Sequence, residues 1–143
     1  MRDLLIGQVL SLKIRFNNHG DIAKFKHPYL IVEIDTSLNV VEIAQIDSLY
    51  GKWFKASMKT NKIIDRDNPS ETVIDKDSYI QLDNSFQLQY FDDLSKYRRQ
   101  PDRLSNDKLQ EVIKAYKDYH ETHEINEDKI VFMTQAEIEN LNS

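Results

Sequence analysis

The sequence predicts an α+β domain built on a strongly bent antiparallel sheet, and three features carry that expectation. Strand-like segments come first and the one long helical pattern comes late, an order that argues against a doubly wound parallel fold. Leu10, Leu12, Ile14 and Phe16 alternate with Ser11, Lys13 and Arg15, the period of two of a half-buried strand. Leu109, Val112, Ile113 and Tyr116 recur at helical spacing and form one apolar stripe.

Residues 7–16 give the first predicted strand. Asn17-Asn18-His19-Gly20-Asp21 then supplies turn chemistry, because Asn and Gly tolerate positive φ. Residues 22–26 are amphipathic but short and read as loop. Pro28 lacks an amide hydrogen, which suits the first residue of a strand. Tyr29-Leu30-Ile31-Val32-Glu33-Ile34 is nearly all apolar, as in a strand buried on both faces. Asp35-Thr36-Ser37-Leu38-Asn39 turns the chain, and residues 40–46 follow as a β-branched third strand, completing a hairpin.

The pattern from Asp47 to Asp77 is less regular. A short strand is expected near residues 53–58, with turns around Asp67-Asn68-Pro69-Ser70. Residues 78–82 read as another strand, Asp83-Asn84-Ser85 as its turn, and residues 86–91 as the final strand of the sheet. Ser105 is the expected N-cap of a helix that runs to about Glu121. Residues 129–133 read as a short added strand. Thr134-Gln135-Ala136-Glu137 has capping-box spacing and opens a terminal helix carrying Ile138 and Leu141.

Composition narrows the function classes. The 143 residues, 40% hydrophobic and 30% charged, suit one globular domain spanning 1–143, with no repeat or linker. With no cysteine, disulfides, thiolate zinc sites and cysteine nucleophiles are excluded. No apolar stretch approaches the ~20 residues of a spanning helix. Met1-Arg2-Asp3-Leu4-Leu5-Ile6-Gly7 is too weakly basic and apolar for a signal peptide, so a cytoplasmic protein away from the membrane is expected. The net charge of −5 works against nonspecific DNA binding, although a local patch can still serve RNA. Lys52, Lys55, Lys59 and Lys62 lie beside Trp53 and Phe54, which suits either a solvated loop or a single-strand contact. His120 and His123 interleave with Glu121 and Glu124 near the helix end, where solvated charge complementing the helix dipole is the ordinary reading. Asp92-Asp93 reads as a loop pair.

Several quoted segments stand in a familiar order. Gly7-Gln8-Val9 opens a strand, and His27-Pro28-Tyr29-Leu30-Ile31-Val32 leads an apolar strand from a basic residue and a proline. Ser48 closes Ala44-Gln45-Ile46-Asp47-Ser48 at the end of the third strand. Ser78-Tyr79-Ile80-Gln81-Leu82 and the region 94–116 give a late strand and a closing helix. In this the chain resembles the MazF/PemK (CcdB-like) toxins of toxin–antitoxin systems. The resemblance implies a small half-open, SH3-like antiparallel β-barrel with a C-terminal helix. Its core would occupy about residues 6–122, with 123–143 a C-terminal extension.

The resemblance also implies a chemistry. Family toxins are ribosome-independent endoribonucleases that cut single-stranded RNA, chiefly mRNA, without metal or other cofactor, and so inhibit growth. A ribose 2′-hydroxyl attacks the adjacent phosphate and leaves a 2′,3′-cyclic phosphate, which calls for proton transfer and for positive charge beside the phosphorane oxygens. His27 stands at the family's arginine position and Ser48 at its Thr/Ser position. Arginine is permanently charged, whereas histidine can exchange a proton near neutrality. His27 would then be the acid or base, Ser48 a donor to phosphate oxygen, and Lys26 or Lys24 the cation, with Arg15 another candidate. Arg15, His19, Lys24, Lys52, Trp53 and Lys55 would contact RNA, with His19 available as a second proton-transfer group. Expected partners are a labile antitoxin and a second copy of the chain in a homodimer, with no specific DNA binding. Two other readings stay open: an inactive relative that binds a protein partner, and a gyrase-directed poison of the CcdB branch.

Overall fold

The computed structural model describes residues 4–48, 58, 60–64 and 77–143. Their elements run β1 (Val9–Leu12), β2 (His27–Asp35), β3 (Val40–Ser48), β4 (Asn61–Ile64), β5 (Ser78–Gln81) and β6 (Ser85–Gln89). A 3-10 helix (Asp92–Tyr97), α1 (Asn106–Thr122), a 3-10 turn (Glu127–Lys129), β7 (Ile130–Met133) and α2 (Gln135–Leu141) follow. The strand expected near residues 53–58 falls, apart from Met58, outside the described residues, as do the turns at 67–70.

The class is α+β, as the order of patterns predicts. The strand path is β1-β2-β3-β5-β4, and β6 pairs with both β3 and β7. Val40–Ile43 of β3 meets β6, while Ile46–Ser48 meets β5, so one long strand passes its edge from one partner to the next. This splits the sheet into two wings, and it is not closed into a barrel. Every pair is antiparallel except β6–β7, which is parallel. A parallel pair requires a crossover connection, and the segment carrying α1 supplies it.

β2 is buried on both faces, as its apolar run predicts. Tyr29 and Ile31 join Leu10, Leu12, Ile43, Phe86 and Leu88 in one core, while Leu30 and Val32 join Ala44, Ile46 and Ile80 in another. The second core is closed by Leu109, Val112 and Tyr116 of α1, the stripe read from the sequence. Ser105 does stand at the N-cap of α1, but its side chain makes no capping hydrogen bond, so the helix begins without that support. Gly7 has φ +96, and a Cβ there would lie 2.7 Å from Leu109 Cδ2. Glycine therefore lets the N-terminal turn press against α1.

At the hairpin, Asn39 takes φ 59 and Asp35 Oδ1 accepts from Ser37 N, Ser37 Oγ and Leu38 N. These bonds, the Ser37 hydroxyl foremost, hold the Asp35 carboxyl below its usual range. Among the described residues no helix is long and apolar enough to cross a membrane.

The C-terminal segment is more than an appendage to a finished core. Val131, Met133 and Ile138 belong to the first core, and Ile138 is 0% exposed. Thr134 caps α2 by accepting from Glu137 N at 3.3 Å, as the capping-box spacing predicts. Asn142 then clasps the main chain of Lys13 through two bonds of 2.7 and 3.0 Å. Ile138→Ala should therefore lower stability by about 2–5 kcal/mol, read from the urea unfolding midpoint. A loss within the ~0.5 kcal/mol range of surface substitutions would show residues 135–141 to be peripheral.

Candidate functional site

On the sheet face away from α1, apolar residues give way to polar ones toward the start of β2. The register sets Tyr29 opposite Gln45, Asp47 opposite Tyr79, and Asn61 opposite Gln81. Directly paired residues share a face, so these side chains form one polar floor that continues the row of Ile31 and Ile43. A cleft of about 620 Å³ opens over it. The loop after β1 contributes Phe16, Ala23 and Lys24 to the lining, the β5–β6 turn Asp83 and Asn84, and the segment before β7 Asp128 and Lys129.

Asp47 organises the floor, and sequence reasoning passed it over as the start of an irregular stretch. Gln45 Nε2 donates to its two oxygens at 3.1 and 3.2 Å, and Gln81 Nε2 to Oδ2 at 2.8 Å. Asn84 Nδ2 in turn donates to Gln81 Oε1 at 2.9 Å. Burial and the nearby Asp47 carboxylate raise both tyrosines: Tyr29 well above its ordinary value, and Tyr79 from 10.0 to about 12. Both stay protonated throughout the physiological range.

Of the residues singled out from the sequence, His27 and Lys24 line this cleft. Neither side chain makes a hydrogen bond or ion pair with another described residue. Ser48 does not join them. It pairs with Ser78 two positions beyond Ile46, on the face that carries Ile64, Ile80 and α1, whereas His27 pairs with Leu12 on the opposite face. Strand alternation thus keeps His27 and Ser48 from converging on one phosphate position. Lys26 is exposed and outside the cleft lining.

Arg15 is taken up by structure. Its Nε and Nη2 reach Glu137 at 2.7 and 3.3 Å, Nη1 reaches Asn17 O and Asn18 Oδ1, and Nη2 also reaches Phe132 O at 2.9 Å. Those bonds engage all the donors that a guanidinium offers. His19 lies 3.3 Å from Asp128 on the cleft rim, and Lys129 is paired with Asp83 at 2.8 Å. Lys62 faces α1, where it meets Glu111 at 3.6 Å. Lys52, Trp53 and Lys55 lie outside the described residues.

A smaller hollow of about 280 Å³ lies on the α1 side, lined by Glu33, Glu42, Tyr116 and His120. Glu42, Tyr116 and His120 in it are already engaged. The Tyr116 hydroxyl donates to Glu42, and His120 stacks on Tyr116 with Nε2 2.8 Å from Leu82 O. His123 stacks on Tyr119 at 4.1 Å. Among the described residues no group of three His, Asp or Glu side chains is placed to hold a metal ion. No protein-family model matches the chain, and no curated protein or solved structure is similar to it.

The raised tyrosines give a pH dependence with a definite sign. Tyr79 keeps its proton in the fold up to about pH 12 but loses it near 10.0 once unfolded. The contribution of Tyr79 to stability is thus level below pH 10.0 and is lost as pH rises through about 12, because the unfolded chain then binds fewer protons. Urea midpoints measured across that range should fall in the wild type and fall less steeply in Tyr79→Phe. Identical slopes would mean that Tyr79 titrates freely.

Proposed function

We propose that this chain is a metal-independent endoribonuclease toxin of the MazF/PemK kind, and that single-stranded RNA crosses the polar cleft. One observation carries the reading: His27 and Lys24 line the same cleft and have no partner among the described residues. An imidazole and an uncommitted ammonium in one cleft are groups that transesterification of RNA can use. Phe25 lies between Lys24 and Lys26 and is 69% exposed, which adds an aromatic face to a basic run, as in proteins that stack single-stranded bases. The late helix and the bent sheet, whose third strand serves two wings, suit the half-open barrel of that family.

In this reading His27 takes the proton of the attacking 2′-hydroxyl. The bond from O2′ to phosphorus forms and the bond to O5′ breaks, while Lys24 neutralises the oxygens of the phosphorane. His19, held by Asp128 at the rim, is the second histidine at hand to protonate the leaving O5′. The family's Thr/Ser role goes unfilled by Ser48. A labile antitoxin and a homodimer belong to the same proposal. The placement of Ser48 favours a second reading, in which the fold persists as a protein-binding module without catalysis.

The test is cleavage of a long single-stranded RNA in EDTA by the wild type and by His27→Ala, Lys24→Ala and Ser48→Ala. The wild type should give fragments with cyclic-phosphate ends. His27→Ala should lose about 10²–10⁴-fold in rate, and Ser48→Ala should cut as the wild type does. Undiminished cutting by His27→Ala would move the site elsewhere, and no cutting by folded wild type would leave the binding module.

A further inference from the structure

We infer that the cleft floor selects a base with an amino group at C4 of a pyrimidine or C6 of a purine, and that Gln45 is the residue that reads it, held in orientation by Asp47. The inference rests on the reading that RNA occupies the cleft. A carboxylate only accepts hydrogen bonds, so each amide beside it must turn its NH2 group inward. Gln45 and Gln81 both do so, at 3.1, 3.2 and 2.8 Å. The outward carbonyl of Gln81 is occupied by Asn84 at 2.9 Å. Gln45 lines the cleft, and its side-chain carbonyl accepts no bond from another described residue. One half-buried charge thus fixes the polarity of the chain of amides and presents an acceptor at its end.

The position suits a nucleotide. Gln45 pairs across the strands with Tyr29, and His27 lies two residues earlier on the same face of β2, about 7 Å along the strand. A phosphate beside His27 and Lys24 would leave its base over Gln45. At C4 of a pyrimidine or C6 of a purine, cytosine offers N4–H2 and adenine N6–H2, whereas uracil offers the acceptor O4 and guanine O6. An acceptor that cannot turn over favours the first two and leaves two acceptors facing each other with the others.

Cytosine and uracil homo-oligonucleotides isolate this contrast, made as 2′-O-methyl chains that cannot be cut and labelled for fluorescence anisotropy at one salt concentration. The wild type should bind the cytosine chain roughly tenfold more tightly than the uracil chain. Asp47→Asn, which allows Gln45 to turn its amide, and Gln45→Leu, which removes the acceptor, should each bring the ratio close to one. His27→Ala should keep the ratio. If Asp47→Asn fails to fold, Gln45→Leu carries the test. Equal binding of both chains by the wild type, or a preference unchanged in Gln45→Leu, overturns the inference and leaves RNA binding standing. Failure of the folded wild type to bind either chain overturns both.

Discussion

The register between β2 and β3 is the constraint on which the rest of the molecule depends. Leu30 opposite Ala44 sends both side chains toward α1, and Tyr29 opposite Gln45 sends both toward the cleft. Around Ile31 and Ile43 both faces are dry, whereas toward His27 and Asp47 only the α1 face is. A slip of one residue would exchange the faces. Gln45 and Asp47 would then press against Leu109 and Val112, and a carboxylate would be buried without its amides, which is strongly destabilising. The fold and the polar cleft are therefore specified together, by the same alternation.

A second consequence concerns charge. β7 adds its strand to β6 and leaves its other edge to the loop after β1, where Asn18 Nδ2 bonds Ile130 O and Arg15 bonds Phe132 O. Capping an edge strand in this way blocks its use as a template for further strands. It also takes the guanidinium of Arg15, a group well suited to binding phosphate, out of service and ties it to Glu137 on α2. Lys129 goes to Asp83. Lys24 and His27 stand out in the cleft because the groups around them are committed elsewhere.

Much of the architecture was legible in local pattern. The two-faced burial of β2, the hairpin at 35–39, the stripe on α1 and the cap at Thr134 each follow from a few neighbouring residues. What escaped needs long-range information. The short β4 has no alternation to announce it. The parallel pairing of β6 with β7 joins segments about forty residues apart, and without it nothing in the local pattern tells that Val131, Met133 and Ile138 enter the first core. The site was half legible. His27 and Lys24 could be named from their neighbours in the chain. That Ser48 faces away required the registers of β1, β3 and β5, and Asp47 became visible only once Gln45 and Gln81 were brought beside it.

The central claim is that the cleft opposite α1, and no other surface, receives RNA. The most direct measurement is an NMR titration of the protein with a short 2′-O-methyl oligonucleotide, following histidine ring and glutamine side-chain resonances. The account predicts saturable shifts at His27 and Gln45, with His120 and His123 on α1 left where they were. Shifts centred on His120 and His123, with His27 unmoved, would contradict it.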